Sequence, residues 1–157
     1  MVTGRAQSRA RARPHPAAHR PSVCRTGRAL AVVFVLLGIL GFVPGVTIGY
    51  DTLRLAGPLS RALLFGAFQV SVLLNLVHLG FGLVGLALSG TVPGAVRYLA
   101  GGGALLLLLA GYGLTVGHGT GAANVLPGNP ADAWLHLGFG LTMVTLGLFC
   151  AARRRSA

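Results

Sequence analysis

The sequence predicts an all-α integral membrane protein with four transmembrane helices, arranged as two parallel helical-hairpin repeats. Hydrophobic residues make up 54% of the 157-residue chain and charged residues only 10%, against about 25% charged residues in a soluble domain. The chain contains four long apolar runs separated by polar or glycine-rich segments. The sequence His-Leu-Gly-Phe-Gly-Leu of residues 78–83 recurs unchanged at residues 136–141, which is one helical hairpin further along the chain.

The first 28 residues differ sharply from the rest. They hold seven arginines and three prolines with almost no large apolar residue. Such a segment buries too little surface to offset the entropy of ordering, so we expect residues 1–28 to be a disordered tail. Its arginines favour contact with anionic lipid headgroups.

Residues 29–152 form the predicted transmembrane domain, which begins with helix 1 at residues 29–48. This length is close to the ~20 residues that cross a bilayer. Gly38, Gly41 and Gly45 lie on one stripe suited to close helix packing. Pro44 lacks a backbone donor, so a kink or an early end is expected there.

Helix 2 is predicted at residues 62–88, after an outer loop at residues 49–61. Polar and small residues recur along it at spacings of three and four, which places them on one helical face. That stripe consists of Ser71, Asn75, His78, Gly82, Gly85 and Ser89.

The second hairpin is predicted as helix 3 at residues 96–116 and helix 4 at residues 129–152. Asn129, Pro130 and Asp132 are typical of an N-cap, a first turn and an N3 position at the start of a helix. A basic end, residues 153–157, follows helix 4. The matching stripe of helix 4 consists of Asn129, Ala133, His136, Gly140, Met143 and Gly147.

The distribution of arginine predicts the orientation. Eleven of the thirteen arginines fall on one side of the predicted bundle, and only Arg54 and Arg61 fall on the other. Because basic residues favour the cytoplasm, we expect both termini inside and a multi-pass protein of the cytoplasmic membrane. The expected partners are the lipid bilayer and anionic headgroups at the basic ends, and homo-oligomerisation stays open. The arginines are not interleaved with aromatic residues, which argues against nucleic acid as a partner.

Five segments, taken in order, resemble one bacterial membrane family, catalogued as domain of unknown function 4383. They are residues 41–45 (GFVPG), 50–51 (YD), 68–71 (FQVS), 75–79 (NLVHL) and 131–137 (ADAWLHL). The resemblance extends over residues 29–150 and implies four transmembrane helices. It implies no activity, substrate or cofactor. Members of this family often carry a histidine just before the asparagine of helix 2, where this chain has Leu74.

The candidate site is an interior polar group on helices 2 and 4. Ionisable residues at membrane depth are rare and usually face the interior of a bundle. The histidines could be hydrogen-bonded to Asn75, Ser71 or the backbone and so hold the helices together, could pass protons, or could bind haem. Counted from the inner helix ends, the two rings would differ by about 9 Å in height, which argues against a shared haem. Asp132 could cap its helix or hold a proton or cation with His136. The members of the candidate site are Ser71, Asn75, His78, Asp132 and His136.

The sequence does not favour an enzyme. It has no acid pair on one helix, no nucleophile elbow and no Cys/His cluster, and we expect no cofactor and no metal. Two hypotheses remain. The first is a small structural or interaction protein whose polar stripe specifies helix packing, and the alternative is a small carrier or proton-handling protein that uses His78 and His136.

Overall fold

The computed structural model describes residues 20–116 and 124–155. The described chain is mainly helical. A π turn at Tyr98–Gly102 joins α3 to α4, so these two form one continuous helix, Val92–Thr115. The helices are α1 (Arg20–Leu40), α2 (Val72–Leu88), α3 (Val92–Arg97), α4 (Gly103–Thr115) and α5 (Pro130–Arg155).

Three of the helical segments are long and apolar enough to cross a membrane: Ser22–Leu40, Val92–Thr115 and Pro130–Arg153. The fourth, α2, is apolar but has only 17 residues. At about 1.5 Å per residue it is ~25 Å long, which is less than the ~30 Å of a bilayer core. The chain therefore has the composition and most of the helix lengths of a membrane protein.

The first helix differs from the prediction at both ends. It begins at Arg20 rather than at residue 29, so residues 20–28, predicted to be disordered, are helical. The remainder of the predicted tail, residues 1–19, lies outside the described residues. The helix ends at Leu40 because the chain then turns through Gly41 and Pro44, and Gly45 takes a positive φ of 88°.

The long connection between α1 and α2, residues 41–71, contains a small antiparallel sheet. We call residues 41–71 the crown. Its three strands are β1 (Thr47–Ile48), β2 (Leu63–Leu64) and β3 (Phe68–Gln69), in the order β1-β2-β3. Leu64 pairs with both Thr47 and Phe68. The all-α prediction lacked this sheet.

The predicted start of helix 2 at residue 62 is wrong, since residues 63–64 and 68–69 are strands. A tight turn joins the two strands, and both Phe65 and Gly66 have positive φ there. The helix begins only after Ser71, whose Oγ accepts a hydrogen bond from the Leu74 N–H at 3.1 Å. Ser71 is thus the N-cap of α2.

The second hairpin lies closer to the prediction. The third helical segment begins at Val92, ahead of the predicted residue 96, because Thr91 caps it by accepting a hydrogen bond from the Gly94 N–H. The last helix begins at Pro130, directly after Asn129, and continues to Arg155. Of the predicted outer loop between them, residues 117–123 lie outside the described residues.

The helices pack as two antiparallel pairs, α1 with α2 and α4 with α5. A glycine of the repeated hexapeptide lies at the contact in each pair. A Cβ at Gly82 would come within 2.6 Å of the Ala31 carbonyl oxygen, and a Cβ at Gly140 within 3.0 Å of the Gly103 carbonyl oxygen. A single core joins the two pairs, and Phe34, Leu99 and Met143 are almost fully buried in it.

Candidate functional site

The two repeated histidines meet in the interior. Both residues are 8% exposed, and their ring centroids lie 6.0 Å apart with an angle of 54° between the ring planes. Each histidine lies six residues after the first residue of its helix, which is Val72 for His78 and Pro130 for His136. The repeat therefore sets both rings at the same height, and the two residues share one site.

The predicted height difference of about 9 Å is wrong. It was counted from the C-terminal ends of the helices, and those ends are not level. Helix α2 stops at Leu88, whereas α5 continues to Arg155. The N-terminal ends, which both adjoin the crown, are the correct reference.

The predicted hydrogen bonds from His78 to Asn75, Ser71 or the backbone are not formed. Within the described residues, both ring nitrogens of His78 and both polar side-chain atoms of Asn75 are buried without a hydrogen-bond partner. The Oγ of Ser71 is engaged in its cap. A buried polar group without a partner costs about 1–3 kcal/mol, so this cluster opposes folding unless something else satisfies it.

Gly38 of α1 and Gly41, the first residue of the crown, enclose this cluster, and both belong to the predicted small-residue stripe. A Cβ at Gly41 would collide with the side-chain amide of Asn75, and a Cβ at Gly38 would lie 2.7 Å from the Asn75 carbonyl oxygen. Gly45, the third member of the predicted stripe, has no atom within 4 Å of such a Cβ. The Asn75 amide is thus enclosed by backbone, with no room for a larger neighbour.

Three phenylalanines line the site on the side away from the crown. Phe34 of α1 lies with its ring centroid 6.0 Å from His78, 4.6 Å from Phe81 and 5.3 Å from Phe139. We call Phe34, Phe81 and Phe139 the aromatic floor. Phe81 and Phe139 hold the same place in the repeated hexapeptide, one turn beyond each histidine. Phe34 was not predicted, because nothing in the apolar run of α1 distinguishes it.

Asp132 lies at the start of α5 and is 7% exposed. Its Oδ2 accepts hydrogen bonds from the Asn129 N–H at 2.8 Å and from the Gln69 N–H at 3.1 Å. Asn129 returns the contact, since its Oδ1 accepts from the Asp132 N–H at 3.1 Å. This reciprocal pair is a capping box. The side-chain amide of Asn129 also donates to the Ala67 carbonyl at 2.6 Å, so the crown is fastened to the start of α5.

A small cavity connects Asp132 with His136. Asp132 and His136 both line it, together with Leu74 and Tyr112, and its volume of about 20 Å³ has room for about one water molecule. A porphyrin does not fit into that space. Among the described residues, no group of three or more His, Cys, Asp or Glu side chains could hold a metal ion.

Comparison with known proteins places the chain in a family and gives it no activity. No curated protein and no solved structure matches it. A family described as domain of unknown function (DUF4383) does match, and its model aligns with residues 25–149, which is most of the chain. The chain therefore belongs to this DUF4383 family, as its five ordered sequence motifs predicted.

Proposed function

We propose that the protein is a small membrane protein whose helix bundle encloses a proton-accepting site, formed by His78 and His136. The observation that carries this proposal is the buried polar cluster. Two imidazoles lie 6.0 Å apart, and His78 and Asn75 have no hydrogen-bond partner among the described residues. A neutral imidazole can accept a proton at a ring nitrogen, so a histidine pair is able to hold a proton.

A role in packing alone explains this cluster less well. Polar residues hold membrane helices together by forming hydrogen bonds between them. Among the described residues, His78 and Asn75 form none. Leucine at either position would fill space without the desolvation penalty, which favours a role for these groups beyond packing.

Within the described residues, a cavity connects the pair with a polar group on the crown side. Asp132 at the crown end shares the one-water cavity with His136, and His136 faces His78. On the other side, the three rings of the aromatic floor separate the pair from the next buried polar groups, the hydroxyls of Tyr98 and Ser89. This arrangement favours a site that takes up and returns a proton from the crown side over a channel that conducts protons across the bilayer.

A structural role is the second candidate, and the glycine contacts support it. Gly82 and Gly140 occupy the same place in the two copies of the hexapeptide, and each admits the backbone of the other helix in its pair. The sequence identity of the copies would then reflect a duplicated hairpin whose stripe specifies helix packing.

The remaining architecture completes the proposal. We take the chain to be four spans in two parallel hairpins, with both termini in the cytoplasm and the crown on the opposite side. Because α1 with α2 and α4 with α5 run antiparallel, four spans return the chain to its starting side. Arg25, Arg28, Arg97 and Arg153 belong to one end of this arrangement, and Arg54 and Arg61 belong to the crown. The basic ends would contact anionic headgroups.

The test uses the full chain with ¹⁵N-labelled histidine in lipid nanodiscs. The ring nitrogen shifts are followed between about pH 3 and pH 8, which covers the ordinary titration range of histidine and the more acidic range below it. We expect His78 and His136 to titrate as a coupled pair, so that His136→Gln moves the transition of His78. The control is His118→Gln, in the predicted outer loop, which should leave both transitions unchanged.

Two results would decide against the proposal. If the rings of His78 and His136 keep one protonation state over the whole range, the site takes up no proton and the structural candidate remains. If the titration of His78 is unchanged in the His136→Gln variant, the two rings do not titrate as a coupled pair. In proteoliposomes that contain a pH-sensitive dye, we expect no proton leak above that of protein-free vesicles, because the aromatic floor closes the path.

A further inference from the structure

The crown carries large apolar side chains on its surface. Leu55 is 74% exposed and Leu59 is 76% exposed, and Ile48 and Phe65 are more than half exposed. The backbone of this segment meets the second hairpin, because the Gly57 N–H donates a hydrogen bond to the Val125 carbonyl at 2.8 Å. Val125 is also exposed. The apolar surface therefore extends over the ends of both hairpins.

The backbone at Phe65 is strained. Phe65 has a φ of 53° and is followed by Gly66 with a φ of 72°, so both central residues of the turn between β2 and β3 are left-handed. Turns of this kind favour Asn-Gly, and the left-handed conformation is unfavourable for a residue with a bulky side chain such as Phe. An aromatic ring is thus held outward at the hairpin tip at the expense of stability.

The second helix of the first hairpin is too short to span a bilayer alone. Helix α2 reaches about 25 Å against a hydrocarbon core of ~30 Å. Its partner α1 has a longer apolar stretch, Ser22–Leu40, and ends at the same crown. If the C-terminal end of α2 lies at the headgroups of one leaflet, its N-terminal end stops short of the headgroups of the other leaflet. The crown, which joins α1 to α2, then lies where the hydrocarbon of that second leaflet meets its headgroups.

We propose that the crown is inserted in the phospholipid leaflet on its side of the membrane. Its exposed apolar residues, Ile48, Leu55, Leu59 and Phe65, lie at the boundary between acyl chains and headgroups, as in interfacial amphipathic segments. Its strands pair with one another, and the headgroup region supplies water to the remaining backbone groups, so no unpaired backbone enters hydrocarbon.

The charged residues of the crown also favour phospholipid as its partner. Arg54 and Arg61 are both exposed and lie beside the exposed leucines in sequence. A guanidinium group can donate two parallel hydrogen bonds to a phosphate, which suits the headgroups of the leaflet in which the leucines are buried. Apolar side chains flanked by arginines match a phospholipid better than a wholly apolar surface.

The experiment measures the depth of the crown by tryptophan fluorescence in phosphatidylcholine–phosphatidylglycerol vesicles. The native tryptophan is first removed as Trp134→Phe, which is conservative because Trp134 is 65% exposed. Leu59→Trp and Phe65→Trp are then introduced one at a time, and each is quenched by brominated phospholipid and by aqueous iodide. Asp51→Trp, on the exposed polar turn of the crown, is the comparison position.

We expect Leu59→Trp and Phe65→Trp to be quenched several-fold more strongly by brominated lipid than Asp51→Trp, and to be protected from iodide. Strong iodide quenching without lipid quenching would place the crown in water and overturn the proposal. Protection from both quenchers would overturn it too, since the crown would then be covered by another protein chain. If Phe65→Trp does not fold, Leu59→Trp alone decides. The result is independent of whether the histidine pair takes up a proton.

Discussion

His78 and His136 lie ring to ring at 6.0 Å although 58 residues separate them in the chain. Each comes from a different helix pair, and Phe34 of α1 contacts the ring of His78 and that of Phe139, one turn beyond His136. The two imidazoles are thus part of the contact between the hairpins. Changes at one ring should be felt at the other.

We expect His78→Leu to leave the free energy of unfolding in detergent unchanged or to raise it by about 1–2 kcal/mol. The substitution removes two buried ring nitrogens that have no partner among the described residues. The double variant with His136→Leu should be non-additive by about 0.5 kcal/mol or more, because the rings are in contact. Thermal or denaturant unfolding of the single and double variants measures both effects.

The control for that substitution is His78→Gln, which keeps a buried polar group and should give no gain in stability. A loss of more than about 1 kcal/mol in His78→Leu would mean that the imidazole is hydrogen-bonded in solution. The argument for the proton site, which rests on a buried imidazole without a hydrogen-bond partner, would then fail.

The repeated hexapeptide contains its own matched controls for helix packing. A Cβ at Gly82 or Gly140 would meet the backbone of the opposing helix, while a Cβ at Gly80 or Gly138 would have nothing within 4 Å. We expect Gly82→Ala and Gly140→Ala to lower the free energy of unfolding by about 1–3 kcal/mol, as overpacking does. Gly80→Ala and Gly138→Ala should be neutral or slightly stabilising, because alanine favours the helix. Equal losses at all four positions would contradict the observed packing.

Much of the helical arrangement could be predicted from the sequence, and the crown could not. The apolar runs and the cap at Asn129 located the helices, with α5 beginning where Pro130 indicated. Residues 62–71 were assigned to a helix because a short apolar run fits a buried strand or a helix equally well. Nothing in the sequence indicates the turn at Phe65, because a bulky residue rarely adopts a positive φ.

The candidate site could be predicted only in part from the sequence, because some of its contacts depend on how distant segments pack. The hexapeptide repeat marked His78 and His136, because an exact copy of a polar residue in an apolar run is unusual. The bond from the Gln69 N–H to Asp132 joins residues 63 positions apart and involves a backbone donor, so no side-chain pattern marks it. The unpartnered state of His78 depends on the packing of α1, which the pattern of α2 alone does not contain.

The proposed topology is tested by cysteine labelling of intact cells. In a chain carrying Cys24→Ala and Cys150→Ala, we expect Asp51→Cys in the crown to react with a membrane-impermeant maleimide. Ala152→Cys, near the end of α5, should react only after permeabilisation, because the basic ends favour the cytoplasm. If Ala152→Cys alone is labelled in intact cells, the orientation is the reverse of the proposed one. If both positions are labelled, the chain does not cross the membrane an even number of times.

The last prediction separates the two roles of Asp132. Its carboxylate accepts from the Asn129 and Gln69 N–H groups, and the hydrogen exchange of these two amides reports directly on that clamp. We expect Asp132→Ala to lose about 1–2 kcal/mol of stability and to expose both amides to exchange, as the loss of a helix cap does. Asp132→Asn keeps a side-chain oxygen that can accept from both donors, and it gives up only the charge at the helix start, worth about 0.3–1 kcal/mol.

If the capping role of Asp132 dominates, both stability and amide protection fall in the order wild type, Asp132→Asn, Asp132→Ala. A different result would assign the carboxylate to the proton path through the one-water cavity. In that case Asp132→Asn folds and protects both amides like the wild type, but His136 no longer changes its protonation state in this variant. Unchanged exchange at Gln69 in Asp132→Ala would show that the crown is held to α5 by other contacts.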